Sequence, residues 1–295
     1  MTAESTEKTE KNENNEKDTE KRPRMLPEGC PELLKAVSEA ALEAGAVIVS
    51  AQNAEESAKT KSGEADFVTS FDVAVQKLLC EKLHRSVPDA LFLCEEGDDT
   101  PEELRYRGES DRLHFIIDPI DGTTNFIHSC RHSAVSVAVC RGSAVIAGAV
   151  FNPYKNELFC ASEGFGAYLN GRRIHTGDRP LRAGIAIFGT TPYRRQYTEQ
   201  TFAIAKALFS GCQDLRRSGS AALDMCDAAC GRAAVYAEYL ISPWDFAGGL
   251  IVAKEAGCVM TDLHGCPLDP DSETSVVVGC PTAQADALEK LKDIY

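Results

Sequence analysis

From Leu33 onward the apolar positions repeat at helical spacing: Leu33, Leu34, Val37, Ala41, Ala44 and Ile48 share one stripe. A polar loop follows around Lys61-Ser62-Gly63-Glu64-Ala65-Asp66. A second helix is expected from about Phe71 to His84, with Asp72 in its first turn and His84 and Arg85 at its end, each charge complementing the helix dipole. Ser86-Val87-Pro88-Asp89 breaks it, and the period then changes. Leu91–Cys94 and 113–118 read as strands, and 134–140, 145–151 and 157–161 as an antiparallel meander. Asn170-Gly171 has the composition of a two-residue hairpin turn. Beyond about residue 182, strands and helices alternate: strand 185–190, helix 198–209, strand 213–217, helix 220–230, strand 233–240 and helix 243–256. Short strands near 258 and 276 and a last helix near 282–293 complete the chain. The first half reads as α+β, the second as layered α/β.

Only the N-terminus lacks an apolar pattern. Residues 1–27 are rich in Glu, Lys, Thr and Asn, can bury no core, and are expected to form a disordered tail. The expected organisation is therefore a tail at 1–27, an N-terminal α+β part at 28–181 and a C-terminal α/β part at 182–295. A net charge of −14 argues against nucleic acid or an anionic membrane surface as partner. It also means that an anionic substrate would need bound cations to meet it. No segment approaches the roughly 20 apolar residues of a membrane span, and no apolar signal core is present, so the expected location is the cytoplasm. The twelve cysteines are scattered without a CxxC pair, as expected for reduced, mostly buried thiols rather than a disulfide or zinc framework.

The candidate chemistry lies where apolar runs end in acids. The run before Asp118-Pro119-Ile120-Asp121-Gly122-Thr123-Thr124 closes with two carboxylates around a proline. Pro119 cannot donate to a sheet ladder, so the strand is expected to stop at Asp118 and free the Ile120 carbonyl. Gly122 permits a tight turn, Thr123 and Thr124 can start a helix, and the Gly122 and Thr123 amides could then face a phosphate. Two carboxylates and a carbonyl form a hard oxygen set suited to magnesium. Taken alone, Asp121 can equally be a helix cap and Asp118 a turn residue. Glu95 and Glu96 end another apolar strand. Asp245, in Ser242-Pro243-Trp244-Asp245, can serve as the acid of an ordinary capping box, and Asp66 as a loop acid.

In combination these stretches resemble the inositol monophosphatase family. The resemblance rests on Asp118-Pro119-Ile120-Asp121-Gly122-Thr123-Thr124-Asn125-Phe126, on Trp244-Asp245 with the following Ala247-Gly248, on Asp66–Asp72 and on Glu95-Glu96, in that family's order and approximate spacing. It covers nearly all of residues 30–290. It implies a layered αβαβα sandwich, usually a homodimer, and magnesium-dependent, lithium-sensitive hydrolysis of a small phosphate monoester by metal-activated water. Carried over, Glu95, Asp118, the Ile120 carbonyl, Asp121 and Asp245 correspond to ligands of Mg²⁺, roughly two or three ions per site. Asp66 and Thr123 correspond to the pair orienting the water near Glu95, and Lys61 to a lysine near the phosphate. Gly122, Thr123, Gly219, Ser220, Ala221, Glu238 and Asp245 correspond to substrate contacts. Glu238, seven residues before Asp245, matches an acid that hydrogen-bonds inositol hydroxyls. Myo-inositol monophosphate is the expected substrate, with histidinol phosphate as the main rival and a non-catalytic regulatory member of the family as the third reading. Two departures from the family pattern are His128-Ser129-Cys130-Arg131 and the extra Gly249.

Overall fold

The computed structural model describes residues 25–51, 58–60, 67–97, 105–106 and 112–294. Most of the expected tail, together with Lys61 and Asp66, lies outside the described residues. Strands β1 (Lys59–Thr60) and β2 (Phe67–Val68) form a minimal antiparallel pair between helices α1 (Glu32–Ser50) and α2 (Ser70–Ser86).

A seven-stranded sheet follows, in the order β3 (Leu91–Cys94), β4 (Leu113–Asp121), β5 (Ala134–Arg141), β6 (Ala144–Asn152), β7 (Glu157–Ser162), β8 (Gly166–Leu169) and β9 (Arg172–Arg173). Only β3 and β4 run parallel; the rest is an antiparallel meander. The short helix α3 (Thr123–Ile127) leaves the end of β4. Asn170 and Gly171 both adopt positive φ, 50° and 72°, and turn β8 into β9 as a two-residue hairpin should.

The second sheet has the order β11 (Asp214–Arg216), β10 (Ile185–Phe188), β12 (Val235–Ile241), β14 (Thr274–Gly279) and β13 (Val259–Thr261). Its first three strands are parallel and the last two antiparallel additions. Helices α4 (Thr198–Phe209), α5 (Ala221–Ala229), α6 (Pro243–Glu255) and α7 (Pro281–Leu291) complete the fold.

Alternation along the strands builds the layers. Phe115 and Ile117 of β4 and Val135 and Val137 of β5 pack with α1 and α2, through Leu34, Val37 and Leu79. Their neighbours Ile116, Ala134 and Ala138 turn to the opposite face and meet Met225, Phe246 and Ile251 of α5 and α6. The second sheet repeats the device. Tyr236 and Val278 join that central core, while Val235, Ala237 and Val277 face Ile204 and Leu208 of α4 and Ala283 and Ala287 of α7. Both faces of both sheets are therefore covered, which explains why these strands read as nearly continuous apolar runs. The result is the αβαβα sandwich. Among the described residues no helix is long and apolar enough to cross a membrane. All twelve cysteines are thiols, and only Cys130 and Cys266 are exposed.

The middle layer is drawn close by small residues. A Cβ on Gly248 would sit 2.4 Å from Ser136 Oγ, and one on Gly249 would sit 2.9 Å from Met225 Cβ. Gly248 thus lets α6 lie directly on β5, and the extra Gly249 lets α5 lie directly on α6. This packing fixes where Asp245, at the start of α6, points.

One strand differs from expectation. β4 does not stop at Asp118; it runs through Asp121. Asp118 pairs with Ser136 and Asp121 with Ala134, so three steps on β4 oppose two on β5. The extra residue makes a bulge, and Pro119, which has no N–H to offer, is tolerated there.

Candidate metal centre

The bulge aims the carboxylates. Asp118 and Asp121 are only 1% and 5% exposed and lie at the end of a strand otherwise surrounded by core. Asp118 Oδ1 accepts the Ile120 amide at 2.9 Å, which closes the turn locally. The parallel register of β3 sets Cys94 beside Ile117, and the Glu95 amide donates to Ile117 O at 3.1 Å. Glu95 therefore emerges alongside Asp118. Asp245 arrives from the far side, at the third position of α6, where its Oδ2 accepts the Ser242 amide at 3.1 Å. Asp118, Asp121 and Asp245 each present an oxygen to one small volume, and these oxygens all lie within 4.8 Å of one another.

Such a cluster is electrostatically costly. Burial and the neighbouring charges of Glu95, Asp121 and Asp245 raise the Asp118 pKa well above the ordinary carboxylate value. Burial, then Asp121 and Glu95, raise Asp245 in the same way. Asp121 rises to about 6 through burial, held back by hydrogen bonds from Ser220, Ala222 and Ala221 and by the charge of Arg217. Converging hard oxygens that repel one another fit a divalent cation such as magnesium, whose charge would remove the repulsion.

Asp121 has a second attachment. Ser220 Oγ donates to its Oδ2 at 2.5 Å, the Ala222 amide to Oδ2 at 2.9 Å and the Ala221 amide to Oδ1 at 3.2 Å. Asp121 thus caps α5 from another part of the chain. The close approach needs two glycines. Gly122 and Gly219 have φ of 90° and 94°, and a Cβ on Gly122 would sit 2.8 Å from Gly219 O. Asn125 holds the same junction, donating to His132 O at 2.8 Å and Ser218 O at 3.0 Å. The divergent turn 128–131 hangs outside it, with Ser129 and Arg131 at positive φ of 54° and 56°.

A cleft of about 790 Å³, including its open mouth, brings the expected residues together. Glu95, Asp118, Ile120, Asp121, Gly122, Thr123, Gly219, Ser220, Ala221, Glu238 and Asp245 all line it. Thr123 Oγ1 donates to Ile120 O at 3.1 Å. Its acidic partner among the described residues is Asp72, 3.5 Å away; Asp66, the expected partner, lies outside them. Ser220 and Ala221 line the cleft, but their donors serve Asp121. Glu96 is not among the residues lining the cleft, and its backbone is bound on both sides by the Gln76 amide, at 2.7 and 3.0 Å.

Glu238 is buried. Tyr236 Oη donates to its Oε2 at 2.5 Å, and Thr191 Oγ1, which donates to Leu240 O at 2.6 Å, lies 3.4 Å from its Oε1. Burial lifts its pKa to about 7 against the pull of Tyr236 and Arg217. Arg217, Thr190 and Tyr193 also line the cleft, and sequence reasoning assigned none of them a role. Arg217 is oriented by Thr190, its Nη2 lying 2.8 Å from Thr190 Oγ1. An arginine directly before Ser218-Gly219-Ser220 was the one visible signal.

Comparison with known proteins gives the family. The profile of the inositol monophosphatase family matches residues 31–294, and the chain belongs to that family. The Nus factor SuhB of Vibrio cholerae is 36% identical over 264 residues, covering 88% of this chain and 96% of that protein. Among solved structures, the IMPase of Thermotoga maritima superposes with a TM-score of 0.80 at 27% identity, covering 90% of this chain and 98% of that one. The inositol monophosphatase of Anabaena gives 0.77 at 30% identity, with 89% and 96% covered.

Proposed function

We propose that this protein is a magnesium-dependent phosphatase that hydrolyses a small phosphate monoester, with myo-inositol monophosphate as the substrate. The observation that carries the reading is the convergence of the Asp118, Asp121 and Asp245 carboxylates within 4.8 Å at the floor of a cleft. Asp118, Asp121, Asp245, Glu95 and the Ile120 carbonyl are the groups that would hold the metal. Bound magnesium supplies Lewis-acid polarisation and offsets the charge of the phosphate dianion.

The chain's own residues do the rest by position. Thr123, fixed by the Ile120 carbonyl and Asp72, offers a hydroxyl that orients the attacking water, with Glu95 beside it and Asp66 assigned to the same task. Ser220, Ala221 and Ala222 hold Asp121 so that one carboxylate face stays on the cleft. Glu238, also on the cleft, accepts from substrate hydroxyls, which favours a polyol over a substrate without vicinal hydroxyls.

A second reading is a regulatory role without turnover. It is favoured by one observation: the Vibrio cholerae relative is named a Nus factor. Phosphate release from myo-inositol 1-phosphate, histidinol phosphate and adenosine 2′-monophosphate, each with Mg²⁺ and with EDTA, separates the two. The expected result is Mg²⁺-dependent release, fastest with inositol phosphate and absent in EDTA. A folded protein that releases no phosphate from any of them with Mg²⁺ overturns the catalytic reading in favour of the regulatory one.

A further inference from the structure

Two thiols meet directly behind the Glu95 ligand position. Cys80 lies on α2 and Cys94 is the last residue of β3, and their sulfurs are 3.8 Å apart. Cys94 is 5% exposed, whereas Cys80 is half-buried and reachable by a small oxidant. The same helix already grips the strand end that carries Glu95. Gln76, one turn before Cys80, binds the Glu96 backbone through both atoms of its amide. The 76–80 face of α2 and the 94–96 segment therefore form one joint, which includes two hydrogen bonds and a thiol contact.

We propose that Cys80 and Cys94 form a reversible disulfide, with a peroxide as oxidant, that shifts Glu95 and weakens metal binding at the centre. The chemistry balances in two steps. The Cys80 sulfur attacks one oxygen of hydrogen peroxide, forming an S–O bond as the O–O bond breaks and the other oxygen leaves as water, which gives a sulfenic acid. The Cys94 sulfur then attacks the Cys80 sulfur, the S–O bond breaks and a second water leaves. The two thiols give up two electrons and two protons in total, and the peroxide accepts both. A disulfide needs its sulfurs about 2.05 Å apart. Closing the gap draws α2 and the end of β3 together by something on the order of 1–2 Å unless rotamers absorb it. Glu95 follows Cys94 directly, and its amide is bonded to Ile117 O, one residue before Asp118. A displacement above about 0.5 Å takes a ligand out of productive geometry. A two-electron thiol reductant reverses the change.

The metal arm of the proposal rests on the reading of the carboxylate cluster as a metal centre; the disulfide arm does not. The test uses the full-length protein with Mn²⁺ as the metal probe. Reduced and peroxide-treated samples are alkylated, digested and mapped by mass spectrometry, and Mn²⁺ affinity is measured by calorimetry. The expected result is a Cys80–Cys94 cross-linked peptide that dithiothreitol removes, with Mn²⁺ affinity about tenfold weaker in the oxidised form and restored on reduction. Cys80→Ser is expected to bind Mn²⁺ normally before and after peroxide. Absence of the cross-link, a cross-link with unchanged affinity, or equal loss of affinity in Cys80→Ser overturns the proposal. Neither readout needs turnover, so a protein that releases no phosphate counts against the proposed reaction alone.

Discussion

The starts of α2 and α6 use the same local motif and put it to different ends. Each has a hydroxyl residue at the cap and an aspartate three residues on: Thr69 with Asp72, and Ser242 with Asp245. At α2 one carboxylate oxygen takes both donors of the cap residue, and the other lies by the Thr123 hydroxyl, whose proton goes to the Ile120 carbonyl. Oδ2 accepts the Thr69 amide at 2.8 Å and its hydroxyl at 2.5 Å, and Oδ1 meets the Thr123 hydroxyl at 3.5 Å. At α6 the Ser242 amide reaches Oδ2 at 3.1 Å, while the carboxylate also faces Asp118 and Asp121. One aspartate is surrounded by donors and the other by fellow acids. A capping residue and a candidate ligand are therefore not alternatives; the neighbours brought by the rest of the chain decide what the spare oxygen does.

The largest effect should come from breaking that contrast at one end. Asp245→Asn keeps an oxygen for the Ser242 amide but loses the charge toward the cluster. Its melting temperature without metal is expected to stay level or rise, the thermal shift on adding Mg²⁺ should vanish, and phosphate release should drop by more than about a hundredfold. Asp72→Asn should do the reverse to stability. It replaces the charged acceptor of the Thr69 amide and hydroxyl by a neutral one, costing about 1 kcal/mol and a few degrees of melting temperature, while the Mg²⁺-induced shift persists. Scanning calorimetry of both variants with and without Mg²⁺ is the check. Equal loss of the Mg²⁺ shift in the two would show that the helix starts do not differ as described.

Much of this was legible one residue at a time, and little of it pairwise. The stripe from Leu33 to Ile48 and the apolar runs of β4 and β5 follow from periodicity alone, because both faces of the sheet are buried. Pro119 was read correctly as a residue without a donor, yet a proline tolerated in a bulge and a proline that ends a strand look identical until the partner strand is known. Ser220 shows the same limit. Its hydroxyl could face a substrate or a carboxylate, and only the approach of Gly122 to Gly219 brings Asp121 to it from 99 residues away. Arg217 and Asp72 were missed as neighbours of the site for this reason. Their roles lie in contacts across the fold, which the position of Arg217 before Ser218-Gly219-Ser220 only hints at.

A smaller effect isolates the acid cluster by pH. Without metal, Asp121 holds its proton up to about pH 6, and Asp118 and Asp245 hold theirs well above the ordinary range. In the unfolded chain these groups ionise near pH 4. Between those limits the folded protein binds more protons than the unfolded one, so stability must fall as pH rises through the window. The exposed acids Glu43, Asp178 and Asp214, whose pKa values are depressed, contribute the opposite slope only below it. The metal-free melting temperature is expected to decline from about pH 4.5 to about pH 7, less steeply in Asp245→Asn, and saturating Mg²⁺ should flatten the decline. A metal-free melting temperature that climbs across this range would contradict the account of the cluster.

The smallest expected effect concerns Glu238, which lines the same cleft but is not one of the three converging carboxylates. Its carboxylate is bound by Tyr236, lies beside Thr191 and packs on bare backbone, since a Cβ on Gly189 would land 1.9 Å from Oε2. Glu238→Gln fits that space but offers one acceptor fewer. KM for myo-inositol 1-phosphate should rise about tenfold, equivalent to about 1.4 kcal/mol, with kcat within about twofold. A phosphate monoester without vicinal hydroxyls should show no change. Because burial lifts Glu238 to about 7, the wild-type KM should also rise as pH falls below about 7 and the carboxylate takes up its proton. That pH dependence should be missing in Glu238→Gln. A variant whose KM matches wild type for both kinds of substrate would confine the chemistry to the Asp118–Asp121–Asp245 cluster and leave Glu238 a packing residue.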